Sequence, residues 1–325
     1  MKKTVYMILI MFIYPICVYA ASTNVRLNSI GFLTNYDKIA TIYAASAPSG
    51  WYVLSYPGNV TVTSGTFSTA MTDAQTGETS SLYQANFSSY TTPGVYYLNV
   101  PGVGASITFT VSDMVYNTPF VPVFKAMYLA RCGMAVSETY NGNTFSHAAC
   151  HTNDAYDNYI GGSGTKITST KGWHDAGDYN KYVVNAGITV GTMFMAWEMF
   201  GTKINSLSYG LPATASGYPE FLEELKWETD WLLTMKASDG SVFDKVSETG
   251  FDAFEMPESD TGTRYFWGYN NVGTPEIATF CAMMAMASRN FQPYDSTYAA
   301  TCLSAATSAY AYLTSHTTNT TANIT

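Results

Sequence analysis

The hydrophobic period of this chain changes once, between Ser112 and Thr118, and that change decides what can fold on either side of it. Before it, the stretches 38–43, 51–55, 60–64, 82–87, 95–100 and 106–111 alternate or are rich in β-branched residues. Tyr56-Pro57-Gly58 and Thr92-Pro93-Gly94 punctuate them as turns. Short strands at this density over 21–113 predict a β-sandwich. No cluster of carboxylates or histidines lies among them, so this part reads as a packing or spacer module, with a binding role as the alternative. After the change, Pro119 opens a helix. Phe120, Val123, Phe124, Met127 and Tyr128 then recur at the spacing of one buried helix face. Further helices are expected over about 179–200, 219–236, 274–290 and 295–314. The stretches 133–172 and 237–273 are longer than connectors need to be, and loops of that length commonly carry function.

The first residues are of another kind. Lys2 and Lys3 precede an apolar run from Val5 to Tyr19, and Val18-Tyr19-Ala20 offers small residues for cleavage. This is the pattern of a secretory signal peptide over 1–20, too short and wrongly flanked for a membrane span. The mature chain is expected to begin near Ala21, outside the cytoplasm (extracellular or periplasmic), with no membrane anchor. The 24 acidic against 15 basic residues give a net charge of −9, which disfavours nucleic acid as a partner. A hydrophobic content of 47% over 325 residues suffices for a sizeable core and about two domains. The 26 tyrosines and 6 tryptophans suit stacking on sugar faces, although most such rings belong to strands and cores.

Chemistry concentrates in Cys132, Cys150-His151 and the run GWHDAGDYNKYV over 172–183. Asp175 and Asp178, three residues apart across Ala-Gly, can turn their carboxylates to one side of a tight turn and hold one water between them. An ionised member of such a pair can take a proton as that water attacks. The competing reading makes Asp178 the N-cap of the apolar helix that follows. Cys17 leaves with the leader, so Cys132, Cys150, Cys281 and Cys302 remain. In an exported protein four cysteines default to two disulfides. Cys281 and Cys302 lie in Ala/Met-rich helical stretches and read as small buried residues. Cys132, Cys150, His151 and His174 would complete a tetrahedral zinc site with no open position, against a Cys132–Cys150 disulfide. His147 stands close by as a supporting or exposed residue, and His316 lies in a polar tail.

The run GWHDAGDYNKYVVNAGITVGT resembles the catalytic-base segment of glycoside hydrolase family 9, the inverting cellulases. The stretches 219–246 and 279–306 resemble successive barrel helices of that family. Those at 24–42 and 90–102 resemble the immunoglobulin-like domain that often precedes it. The resemblance implies hydrolysis of internal β-1,4-glucosidic bonds in cellulose or related β-glucans. Asp178 would be the general base and Asp175 its partner in holding the water. It implies a structural zinc on Cys132, Cys150, His151 and His174, and a calcium ion without assignable ligands. Trp173, Tyr265 and Trp267 are the expected substrate-binding rings. The implied fold is an immunoglobulin-like β-sandwich over 21–113 followed by an all-α (α/α)6 toroid of twelve helices. Residues 117–325 would be about its first half. The general-acid glutamate and a substrate-binding histidine/arginine segment belong to later helices and are expected outside this chain. Glu198, Glu228 and Glu276 do not sit in the context of that acid, and Asp244 stands where many relatives carry a histidine. The alternative is a non-catalytic glucan-binding remnant or an inactive truncated product.

Overall fold

The computed structural model describes residues 21–322 apart from 74, 76, 158–162, 214–215, 252–253 and 269–271, so the signal peptide expected over 1–20 lies outside the described residues. The chain divides into two compact units, Met1–Pro119 and Phe120–Thr325.

The first unit is built from β1 (Val25–Arg26), β2 (Ile39–Tyr43), β3 (Trp51–Ser55), β4 (Thr61–Gly65), β5 (Met71–Asp73), β6 (Glu78–Asn86), β7 (Gly94–Val100), β8 (Gly104–Ala105) and β9 (Phe109–Val111). One sheet runs β1-β2-β6-β5 and the other β4-β3-β7-β8, with β9 on the far end of β7. Every pairing is antiparallel. Period-2 alternation turns Ala40, Ile42, Tyr83 and Ala85 of one sheet and Val53, Leu98 and Val100 of the other into a shared core. Phe32 closes it, standing edge-on to Phe87 and Phe109. Lys38 is buried there because its ammonium donates to the carbonyls of Thr34, Tyr36 and Ser88. The alternating stretches became strands within a few residues of their expected bounds. β1, β5 and β8 were not legible, since two or three residues carry no period.

Helix α1 (Asn117–Leu129) leads into the second unit, which contains β10 (Val136–Tyr140), β11 (Asn143–His147), β12 (Lys181–Tyr182), α2 (Val183–Asn205), α3 (Glu220–Thr234), β13 (Lys245–Ser247), β14 (Tyr265–Trp267), α4 (Thr274–Phe291) and α5 (Ser296–Ser315). Helix α2 packs on α3 and α4, and α4 forms an antiparallel hairpin with α5. Gly187 and Gly191 let α2 lie close on Thr279 and Met283 of α4. Asp295 caps α5 by accepting from the Tyr298 N–H at 2.9 Å. Helix α3 is enclosed almost all round, burying Phe221, Leu222, Leu225, Trp231 and Leu232 together with Glu224 and Glu228. The helices number five among the described residues, too few to close a ring.

The helix expected from 179 begins at Val183 instead. Residues 181–182 are extended because β12 pairs with β13, which pairs in turn with β14. The two long loops are therefore partly strand: β10–β11 is a hairpin in the first, and β13 and β14 lie in the second. Among the described residues α2 is the helix long and apolar enough to cross a membrane. Its buried face, with Val190 and Phe194, belongs to the core of this unit.

Candidate active site and metal centre

A short antiparallel contact brings the chemistry together. The Cys132 N–H donates to the Gly172 carbonyl at 2.8 Å, and the His174 N–H donates to the Ala130 carbonyl at 2.7 Å. This seats Cys132 beside His174, and the chain returning from β11 adds Cys150 and His151. One ligand atom from each of the four lies within 4.8 Å of all the others. Cys132 Sγ is 3.7 Å from His151 Nδ1, and Cys150 Sγ is 3.5 Å from His174 Nε2. Zinc–sulfur and zinc–nitrogen bonds of about 2.3 and 2.0–2.1 Å would set a tetrahedral sulfur–nitrogen edge near 3.5 Å, so these separations fit a metal ion of that size. Cys132, Cys150, Cys281 and Cys302 are all free thiols. The Cys150 thiol is pulled down to about 7, chiefly by its hydrogen bond with Cys132, and burial holds His174 below the usual histidine value. Both shifts favour the thiolate and the neutral imidazole that a metal requires.

The outer ring nitrogen of His151, Nε2, lies 3.0 Å from Asp260 Oδ2, both side chains being buried. The carboxylate fixes which nitrogen faces the cluster. Asp260 comes from a distant loop and was not legible in the sequence, because no local pattern marks it. His147 stands 5.7 Å from His174, ring to ring, and its Nδ1 contacts the Ala148 carbonyl at 2.7 Å. His316, far from this cluster in sequence, stacks on Tyr312.

Beneath the loop, α3 supplies a buried polar floor. Arg131 forks onto Glu224, with Nη2 2.8 Å from Oε2, and its guanidinium lies over the Trp227 ring. Trp173 donates its ring N–H to Glu224 at 2.8 Å and its backbone N–H to Glu228 at 2.6 Å. Burial pushes the Glu224 carboxyl up while Arg131 pulls it down, and burial raises Glu228 to about 8. A second buried set joins Asp154 to Lys181 and Arg264 at 3.4 and 3.2 Å. Lys181 also donates to the Ser169 and Lys171 carbonyls.

The aspartates sit at the solvent edge of this frame. Asp175 is exposed and its Oδ1 accepts from Asn185 Nδ2 at 2.9 Å. Asp178 is half-buried; its Oδ2 accepts from the Tyr182 hydroxyl at 2.6 Å and from Asn180 Nδ2 at 3.1 Å. Because α2 starts at Val183 with Tyr182 as its N-cap, Asp178 does not cap it. Between the aspartate loop and the Cys/His cluster stands Tyr179, in the left-handed region at φ 51°. Its ring lies 5.1 Å from His174 and 6.4 Å from His151, and its hydroxyl donates to the Glu255 carbonyl.

Burial corrects the expected sugar-binding rings. Trp173 is 7% exposed and hydrogen-bonded into the floor; Trp267 is 3% exposed and donates to the Ser247 carbonyl. Neither presents a face to a ligand. Tyr265 is half-buried beside Tyr156, ring centroids 6.3 Å apart. The glutamates considered for other roles are also engaged. Glu198 pairs with Arg289, Glu228 holds Trp173, and Glu276 stands beside Asp244, which burial first and then this neighbouring carboxyl raise to about 7.

Comparison with known proteins follows the same division of the chain. A family profile for glycosyl hydrolase family 9 matches residues 116–325, and one for the cellulase N-terminal ig-like domain matches residues 20–105. Endoglucanase D of Acetivibrio thermocellus is 49% identical over 307 residues, covering 94% of this chain and 48% of that protein. A xyloglucan-specific endo-beta-1,4-glucanase of Bacteroides ovatus is 30% identical, covering 90% of this chain and 50% of its own length. Among solved structures, the family 9 endoglucanase J30 superposes with a TM-score of 0.82 at 31% identity, over 90% of this chain and 54% of the other. A Zn-binding triple mutant of J30 gives 0.79 at 33% identity, over 88% and 53%. The chain thus spans about half the length of the curated relatives it matches. With one profile on each side of the change of period, the chain belongs to glycosyl hydrolase family 9 and carries an immunoglobulin-like domain ahead of the family domain.

Proposed function

We propose that this chain is the first part of a secreted endo-β-1,4-glucanase that cleaves cellulose or a related β-glucan with inversion. The division would be a leader over 1–20, an immunoglobulin-like domain over 21–113 and the first half of an (α/α)6 toroid over 117–325. The observation that carries the reading is the Asp175–Asp178 loop held at a solvent edge by Asn185, Asn180 and Tyr182. Asp178 takes a proton from the water that attacks the anomeric carbon, and Asp175 helps hold that water. A glutamate from the part of the family fold that this chain does not span protonates the departing oxygen on the opposite face. Inverting pairs stand roughly 6.5–9.5 Å apart, which leaves room for the water.

Cys132, Cys150, His151 and His174 would hold zinc, whose closed tetrahedral set supplies structural rigidity rather than a reactive position. The chain's own residues do the rest: the floor of Arg131, Glu224 and Glu228 fixes Trp173, and Trp173 fixes the start of the aspartate loop. Calcium stays a proposal without assigned ligands.

The test is a chimera in which this chain is completed with the second half of the catalytic domain of Endoglucanase D, assayed on carboxymethylcellulose. Asp178→Ala abolishes turnover while leaving oligosaccharide binding largely intact, and Asp175→Ala slows it strongly. Near-normal turnover by the Asp178 variant would sink the assignment. Without the added half, little hydrolysis is expected, since a general acid commonly contributes about 10²–10⁴-fold.

A further inference from the structure

We propose that Phe254 is a stacking platform for the pyranose ring next to the scissile bond, held in register with Asp178 through Tyr179. The inference rests on the glucan reading above and names a contact that reading lacks, since Trp173 and Trp267 are buried. Phe254 is the most exposed large apolar side chain among the described residues, at 91%. Its position is nevertheless defined. Ring atoms Cδ2 and Cε2 lie 3.5 Å from where a Cβ on Gly177 would stand, so the ring rests on the residue that precedes Asp178. On the other side of Asp178, the Tyr179 hydroxyl donates to the carbonyl of Glu255, the residue after Phe254. The Ser259 N–H closes the next turn onto the Met256 carbonyl at 2.8 Å. Asp178 and Phe254 are thereby tied at two adjacent points.

The surroundings select the occupant. Glu255 and Glu258 follow Phe254 in the chain, and Phe251 and Met256 are exposed beside it in sequence, so apolar faces alternate with carboxylates in this segment. A β-linked glucan chain offers what fits: flat C–H faces for the ring and a rim of hydroxyls that carboxylates accept from. A sugar whose anomeric carbon reaches Asp178 has its neighbour within reach of Phe254.

Calorimetric titration of the full chain with cellohexaose tests this, alongside Phe254→Ala, Phe254→Tyr and, as an exposed ring elsewhere, Tyr310→Ala. Expected are a loss on the order of tenfold for Phe254→Ala, near-wild-type affinity for Phe254→Tyr and Tyr310→Ala, and an unchanged melting temperature for all three. Equal affinity of wild type and Phe254→Ala overturns the platform while the glucan reading stands. A tyrosine variant as weak as the alanine one overturns stacking as the cause. A wild-type chain that binds no cellohexaose at millimolar concentration overturns both.

Discussion

His151 faces Cys132 with one ring nitrogen and Asp260 with the other, so a single carboxylate sets the ring's tautomer and orientation. Asp260→Ala should weaken zinc binding by about 10–100-fold, measured by competition with a chromophoric chelator. Asp260→Asn, which keeps a polar partner, should fall between the two. Unchanged affinity in the alanine variant would mean that packing alone orients the ring. Asp244 and Glu276 make a different kind of pair, two carboxyl groups sharing a hydrogen bond, with Asp244 raised to about 7. The folded chain therefore keeps a proton that the unfolded chain releases near the ordinary aspartate value of about 3.9. The stabilisation is fully present below that value and is lost as pH rises through about 7. The melting temperature should fall between roughly pH 4 and 7, and Asp244→Asn should flatten that fall. A wild-type profile already flat over this window would contradict the pairing. Tyr179 shows what local sequence could not show. A tyrosine at φ 51° costs about 1 kcal/mol locally, and contacts from the metal cluster and from Glu255, distant in sequence, hold it there.

At the scale of elements, helix starts were read less well than helix interiors. The apolar period placed α3, α4 and α5 to within about two residues. It ran α2 back to 179 because Tyr179, Tyr182 and Val183 continue an apolar pattern. The pairing of β12 with β13 overrode that pattern, and this partner lies more than sixty residues away in the chain. The turn after α3 is another place where a neighbour decides. Gly240 has φ 95°, and a Cβ there would stand 2.5 Å from the Ser308 carbonyl oxygen of α5. Gly240→Ala should destabilise the helical unit by about 2–4 kcal/mol, the sum of a left-handed penalty and overpacking. Urea unfolding followed by tryptophan fluorescence measures it, and a loss below half of that range would show that α5 yields.

For the molecule as a whole, two cores imply two unfolding events. The sandwich core and the helical core are separate clusters of buried residues, and the candidate metal ligands Cys132, Cys150, His151 and His174 belong to the second unit. Chelation should lower the melting temperature of the helical unit and leave that of the β unit unchanged, as seen by calorimetry. A single transition that shifts as a whole would contradict this. Residues 21–119 alone should unfold cooperatively. The sequence by itself determined the order of a β part and a helical part, the aspartate loop and the four Cys/His residues, because these rest on local period and on rare residue types close together. Tertiary structure alone decided that Trp173 and Trp267 are buried, that Glu224 and Glu228 serve as floor, and that Asp260, Tyr179 and Phe254 stand around the aspartate loop. Those outcomes depend on which distant segments pack together, and burial is a property of neighbours rather than of the residue itself.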